Sequence, residues 1–257
     1  MLTLSRTVSR RSLLTALAAG GTLLNARGGL AAAVTETART TEGPFYPDAF
    51  PLDTDNDLLV LNDALTASTG RVAYLSGRVL GPTGAPVRNA VVEIWQCDNN
   101  GSYLHAKGRL PARDANFQGY GRFLTGANGE YAFRTIRPVS YAQYGITRAP
   151  HVHFAINRNG RRVLTTQVLI AGDPLNATDD VLNELAPAAR GTIVTAFEPV
   201  PGSALGEVAA SWDVVLGRTA FEGDDGVMRN GIGKAEGEPG FWDYVRNWEA
   251  SQKAPRQ

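Results

Sequence analysis

Along most of this chain, apolar and polar positions alternate in short runs broken by Gly, Pro, Asn and Asp. Successive residues of an extended strand point to opposite faces, so this pattern predicts strands with at least one buried face. The first clear run covers 72–80 and ends at the turn Gly81-Pro82-Thr83-Gly84. A second covers 90–96, with Val91, Val92, Ile94 and Trp95. Residues 122–125 and 130–136 flank Ala127-Asn128-Gly129, and 151–157 and 161–170 flank Asn159-Gly160. Asn-Gly between two such runs signals a hairpin, because both residues accept the positive φ of its tight turn. Residues 193–197 and 212–216 supply later strands, and one short helix is predicted over 179–185, after Asp173-Pro174. Many short strands joined by such turns predict an all-β fold, an antiparallel β-sandwich with long loops and little helix.

The flanks of this body read differently. Residues 34–70 hold Gly43-Pro44, Pro47, Pro51 and several Asp and Asn, and read as an irregular N-terminal arm, not a packed element. The sandwich domain is expected over 71–220. The tail, 221–257, is rich in Gly, Asp and Glu, yet carries Phe241, Trp242, Tyr244 and Trp248. Those aromatics predict docking on the body or on a second copy of the chain, as in a homo-oligomer. No internal repeat or linker marks a second domain.

Residues 1–33 stand apart from the fold. Ser9-Arg10-Arg11-Ser12-Leu13-Leu14 opens an apolar stretch that runs to Leu24, and Ala31-Ala32-Ala33 offers small residues for cleavage. Paired arginines before such a stretch point to a twin-arginine export signal and a periplasmic or secreted mature protein. The stretch is too short and too rich in Ala, Gly and Thr for a membrane span, so none is expected in the mature chain. Of the 25 basic residues four lie in this segment, which has no acid; the remainder keeps 21 against 25 acids, a net charge of −4. No basic face is implied, which argues against nucleic acid as a partner. Cys97 is the only cysteine, so an intrachain disulfide is excluded, and it reads as a small buried hydrophobe.

Candidate chemistry gathers around two of the three histidines, His151 and His153. At i and i+2 of a strand their imidazoles share a face and can grip one metal ion. Two loops bring tyrosines. Residues 97–117 form a long connection carrying Gly101-Ser102-Tyr103-Leu104-His105, and loops of that length inside a compact domain are usually functional. Residues 137–150 carry Pro138-Val139-Ser140-Tyr141, then Tyr144 and Arg148, and lead straight into the histidines. A phenolate is a hard anionic ligand and suits trivalent iron better than zinc or calcium. Zinc held by His151 and His153 is the weaker alternative. His105 reads as a surface or neighbouring residue and Trp95 as core; Tyr46, Asp48 and Tyr74 are further candidates for the pocket.

These motifs, taken in order, resemble the intradiol ring-cleavage dioxygenases. The resemblance rests on Gly-x-Tyr after the Ile-Trp-Gln strand, Pro-x-x-Tyr after Thr-Ile-Arg, Arg-x-x-His-x-His, Thr166-Gln167, and Thr41-Glu42-Gly43-Pro44-Phe45-Tyr46 in the arm. It covers about residues 41–200 and implies a non-haem Fe(III) held by Tyr103, Tyr141, His151 and His153, with Tyr141 and His153 axial. It also implies Arg148 as the active-site arginine and Gln167 near the substrate face. Val139 stands where family members commonly have glycine, and Tyr144 competes with Tyr141; the spacing from Pro138 favours Tyr141. The implied activity is O₂-dependent cleavage of a catechol-type substrate between its two hydroxylated carbons, giving a muconate-type diacid. In that scheme Tyr141 accepts a substrate proton, and Arg148 stabilises negative charge developing on the substrate. Residues 34–70 are too short for the helical dimerisation domain of the catechol enzymes, so the chain looks closer to compact or extracellular members. The strand pattern alone equally fits a non-catalytic transthyretin-like or carbohydrate-binding module.

Overall fold

The computed structural model describes residues 34–61, 66–104, 111–143, 145–217, 221–222 and 228–229. Two five-stranded sheets make the body. In the first, β1 (Val72–Leu80) pairs antiparallel with β4 (Glu130–Ile136) on one side. On the other side β1 pairs in parallel with β11 (Val208–Ser211) and β12 (Val214–Val215), and β10 (Glu198–Pro199) lies outside β11. The second sheet runs β3 (Tyr120–Leu124), β2 (Val91–Trp95), β7 (His151–Arg158), β8 (Arg161–Ile170) and β9 (Val194–Thr195). Two hairpins stand outside them: β5 (Tyr141–Gln143) with β6 (Ile146–Arg148), and β13 (Phe221–Glu222) with β14 (Met228–Arg229).

The alternation read from the sequence sorts side chains as a sandwich requires. Leu75 and Val79 of β1 and Phe133 of β4 share one apolar cluster with Val92 and Ile94 of β2, Phe154 and Ile156 of β7 and Val168 of β8, all buried. Each large apolar side chain removed from water there contributes about 1.5–3 kcal/mol before entropy is counted. The sandwich is not purely antiparallel. Besides the parallel pairs on β1, β9 pairs in parallel with β8. The connection from Ile170 to Val194 makes this possible: its one-turn helices Pro174–Ala177, Asp180–Asn183 and Pro187–Arg190 give it the length that a parallel crossover needs. The predicted helix over 179–185 shortens to Asp180–Asn183, and at its start the Asp179 side chain stands outside as the cap, accepting the Leu182 N–H. The strands expected at 193–197 and 212–216 contract to Val194–Thr195 and Val214–Val215.

Strand β7 places the functional face. Its first six residues are all buried. Val152, Phe154 and Ile156 point into the sandwich, so His151, His153 and Ala155 point the other way. The arm helps to cover that outer face. It is irregular, as expected, but it is packed: Ala38, Phe45, Leu58 and Leu59 are buried. The backbone N–H of Thr37 donates to Val215 O and that of Thr40 to Thr165 O, so the arm bonds to both sheets. Proline and Asp-rich composition described its conformation and said nothing of its burial, which is dictated by the apolar face beneath. Of the tail, Phe241, Trp242, Tyr244 and Trp248 lie outside the described residues, as does Tyr144 and the 105–110 segment with His105.

Phe45→Ala tests whether the arm is part of the fold. Phe45 stacks on Tyr103 with centroids 4.2 Å apart, and its truncation should cost about 3–5 kcal/mol in urea-unfolding free energy. A loss below about 1 kcal/mol, the scale of an exposed substitution, would mean that the arm is an unpacked appendage.

Candidate metal centre

The outer face of the second sheet is built in rows. Tyr120, Trp95, His153 and Gln167 lie side by side across β3, β2, β7 and β8. The next row holds Arg122, Glu93, Ala155 and Thr165. Trp95 is buried as predicted, but outside the sandwich interior: its ring stacks on His153 at 4.8 Å and 8°. It belongs to a second apolar cluster with Phe45, Cys97, Tyr103, Tyr120, Tyr141 and Ala155. Burial pushes the Cys97 thiol up to about 12, in keeping with a thiol that only packs.

Two loops deliver the tyrosines. The Asp98 carboxylate accepts the backbone N–H groups of Asn100, Ser102 and Asp114, which folds the start of the first loop tightly onto itself. Gly101 has φ +80, and a Cβ there would sit 3.2 Å from Tyr141 Cβ, so the Gly-x-Tyr spacing answers to a close approach of the two tyrosine loops. The second loop is more ordered than its sequence announced. It contains the β5–β6 hairpin, which sets Tyr141 directly opposite Arg148. Gly43 of the arm, at φ +71, lies where a Cβ would touch His153 Cε1 at 3.4 Å, so the arm closes directly over the imidazole.

The donors converge. His151 Nε2 lies 3.2 Å from His153 Nε2 and 3.3 Å from Tyr103 Oη. The Tyr141 ring centroid is 5.3 Å from that of Tyr103 and 5.6 Å from that of His151. Tyr103, Tyr141, His151 and His153 are all buried. His151 Nδ1 is 2.6 Å from the Ala149 carbonyl oxygen, which can only accept, so Nδ1 carries the proton and Nε2 presents its lone pair to the centre. Among the described residues His153 Nδ1 is buried without a hydrogen-bond partner. Burial, with Arg148 nearby, depresses His151 to about 3, and burial beside His151 holds His153 well below its ordinary value. Burial lifts Tyr103 well above the ordinary phenol value and pushes Tyr141 up to about 12 against the opposing charge of Arg148. Without a cation the four donors are therefore neutral at pH 7. His153 Nε2 and Tyr103 Oη, at 3.2 and 3.3 Å from His151 Nε2, are spaced as ligands that share one ion about 2 Å from each, and the Tyr141 ring stands beside them. The donor set itself, phenol and imidazole, fits iron.

Arg148 and Gln167 sit beside this group and are already engaged. Arg148 Nε donates to Asp179 Oδ2 at 2.9 Å and Nη2 to Gln167 Oε1 at 2.7 Å. Gln167 Nε2 donates to Thr41 O at 3.2 Å, which ties the arm to β8. Asp179 is 0% exposed; the sequence marks it only as the start of a short helix and gives no sign of a place beside this site. Burial raises its carboxyl, but the charge and hydrogen bond of Arg148, together with His151 and the Leu182 N–H, outweigh burial and hold it below the ordinary carboxylate range. Glu93, one row from His153, is likewise buried, and takes Tyr120 Oη at 2.6 Å, Asn157 Nδ2 at 2.8 Å and Tyr46 Oη at 3.1 Å. Tyr46 thus reaches the rim of the site through Trp95, which it meets edge-on at 5.0 Å. Tyr74 does not: it lies on β1 of the other sheet and donates to Glu207, just before β11. Asp48 is exposed.

A β-sandwich with a buried two-histidine, two-tyrosine centre on the outer face of one sheet is the class of protein these features define. The dioxygenase family model matches residues 41–218, more than half of the chain. The protocatechuate 3,4-dioxygenase beta chain of Burkholderia cepacia is 37% identical over 198 residues, covering 72% of this chain and 81% of that relative. Catechol 1,2-dioxygenase 1 of Acinetobacter lwoffii is 34% identical over 66% of this chain, which spans 56% of that relative's length. Among solved structures, the dioxygenase domain of a dioxygenase carbohydrate-binding protein fusion from Streptomyces sp. SirexAA-E superposes with a TM-score of 0.53 at 27% identity, over 71% of this chain and 99% of that one. The chain belongs to the intradiol ring-cleavage dioxygenase family.

The Arg148–Asp179 pair makes a pH-dependent prediction. With Arg148 present, the folded pKa of Asp179 lies below its unfolded value near ~3.9, so the pair contributes stability above that value and loses it as pH falls through the lower folded pKa. In Arg148→Leu burial dominates and the folded pKa rises above the unfolded one. The variant should therefore be less stable than the parent by about 3–5 kcal/mol at pH 7, and by clearly less near pH 4. Urea unfolding at the two pH values measures this; equal deficits at both would contradict the ion-pair account.

Proposed function

We propose that this chain is a non-haem Fe(III) intradiol dioxygenase that uses O₂ to open a catechol-type ring between its two hydroxylated carbons, yielding a muconate-type diacid. The observation that carries this reading is the placing of His153 Nε2 and Tyr103 Oη within 3.3 Å of His151 Nε2, with Tyr141 beside them, all four side chains buried in a chain of this family. Tyr103, Tyr141, His151 and His153 would hold the ion, and Fe(III) there would supply the Lewis acidity that ionises the phenols and makes a catechol substrate reactive toward O₂. Tyr141 Oη, once ionised, takes a hydroxyl proton from the incoming catechol. Arg148, immobilised between Asp179 and Gln167, is a fixed positive charge that favours the phenolate forms and anionic substrate without reorganising. Gln167, with both ends of its amide bonded, holds Arg148 in place and anchors the arm. Phe45, Trp95 and the arm at Gly43 wall the centre from water.

Two other readings are less well supported. A zinc centre needs three or four His, Cys or carboxylate donors, and among the described residues no three such side chains group to hold an ion. A non-catalytic binding module gives no reason for two buried imidazoles to turn their Nε2 atoms together at 3.2 Å beside two phenols. The iron-loaded protein should show a broad visible tyrosinate-to-iron band that moves to the red with catechol. Tyr141→Phe should lower kcat by about 10²–10⁴-fold, the range for loss of a positioned base, while Tyr144→Phe keeps activity. A protein that stays colourless with added iron would sink the proposal.

The reading extends to location. Arg10-Arg11 before the apolar stretch to Leu24, with Ala31-Ala32-Ala33 after it, supports export of the mature protein by the twin-arginine route to the periplasm or beyond. Among the described residues no helix is long and apolar enough to cross a membrane. Replacing both arginines by lysine should hold the protein in the cytoplasm on cell fractionation; undiminished export would rule the route out.

A further inference from the structure

We infer that Asp179 is a positioning residue of this centre: one carboxylate sets both the imidazole tautomer of His151 and the orientation of the Arg148 guanidinium. The inference rests on the reading of the centre as an iron site. Asp179 Oδ2 accepts the Ala149 N–H and the Arg148 Nε–H, each at 2.9 Å. Oδ1 accepts the Leu182 N–H at 2.9 Å and lies 3.4 Å from Arg148 Nη2. The carboxylate is itself locked, because it caps the helix Asp180–Asn183 and has no exposed surface.

Its reach to the centre runs through one residue. Ala149 is held at its N–H by Asp179, and Pro150 restricts its backbone to extended conformations. Held from both sides, its carbonyl meets His151 Nδ1 at 2.6 Å. That bond places the imidazole proton on Nδ1 and leaves the Nε2 lone pair facing His153 and Tyr103. The guanidinium is fixed by the same oxygens: with Nε on Asp179 and Nη2 on Gln167 Oε1 at 2.7 Å, its plane cannot turn. An orienting carboxylate behind a ligating imidazole is a general device; here it acts across a peptide group and serves a second side chain as well.

Asparagine is isosteric with aspartate, yet it cannot do this. It offers one oxygen and one NH₂, so in either orientation the NH₂ confronts the Leu182 N–H or the pair from Ala149 and Arg148. Serine keeps the helix cap through its hydroxyl and removes the carboxylate, which separates capping from positioning. The test compares full-length, iron-loaded wild type, Asp179→Asn and Asp179→Ser by the visible band, iron retention against a chelator, and kcat and KM taken separately. Both variants should hold iron about 10–100-fold more weakly, shift the band, and lose kcat by more than they raise KM. Wild-type values in Asp179→Ser would overturn the inference and leave Asp179 a helix cap alone. A wild type that never develops the band overturns the iron reading and this inference with it; a wild type with the band and silent variants overturns this inference only. Imidazole ¹⁵N shifts of the full-length wild type before iron loading decide even if neither variant folds. The Nδ1–H tautomer at His151 supports the inference, and the Nε2–H tautomer overturns it.

Discussion

A strand whose two faces are both withdrawn from water must be covered twice, and β7 is such a strand. One cover is the opposite sheet. The other is assembled from irregular chain: the arm, the Asp98–Tyr103 loop and the β5–β6 hairpin. The polar groups among these covers cannot be left unpaired at such depth, where an unsatisfied donor or acceptor costs about 1–3 kcal/mol. The buried charges are answered accordingly: Arg148 by Asp179, Glu93 by Arg162 and Arg122, and Asp98 by three backbone N–H groups. Among the described residues His153 Nδ1 is one buried atom left without a hydrogen-bond partner. The second cover thus does two things with one set of residues: it completes the burial of β7, and it brings two phenols to the two imidazoles.

Much of this was legible because it is local. The bounds of β1, β4 and β8 follow from alternation closed by Gly-Pro or Asn-Gly turns, and all three run as read from the sequence. His151 and His153 share a face by period alone, and the two tyrosine loops stand out by length and by what they precede. Other features escaped because their cause is distant. The β5–β6 hairpin has three residues in each strand, too few to show a period. The parallel partners of β1 lie more than 130 positions away, as Ala73 with Val208 shows. Asp179 announces a helix start, and nothing local says that its carboxylate will face Ala149. Trp95 was read as core because a strand tryptophan next to Ile94 gives no sign of which face of the sheet it will join.

The electrostatic design is one of restraint. Buried ion pairs are weak sources of stability, since desolvation offsets their attraction. Arg148 and Asp179 are better understood as a charge fixed in place near two phenols whose burial otherwise opposes ionisation. Burial and charge act against each other at Tyr141, and the balance leaves it less perturbed than Tyr103, which is held well above the ordinary range. The two phenols are thus unequal before any ligand arrives, and the more easily ionised one is on the hairpin, opposite the arginine.

The arm carries a consequence for assembly. Its bonds to the second sheet span very long stretches of chain: Arg162 to Glu42 across 120 positions, Gln167 to Thr41 across 126, Thr166 to Ala38 across 128. Contacts of such separation bear the largest loop-closure entropy and are favoured only once the strands between them are in place. The arm leaves the ribosome before the strands that it binds and is seated on them after they pair. Until it seats, the face bearing His151 and His153 lies open on that side, so the order of folding itself leaves an interval in which the centre can be reached.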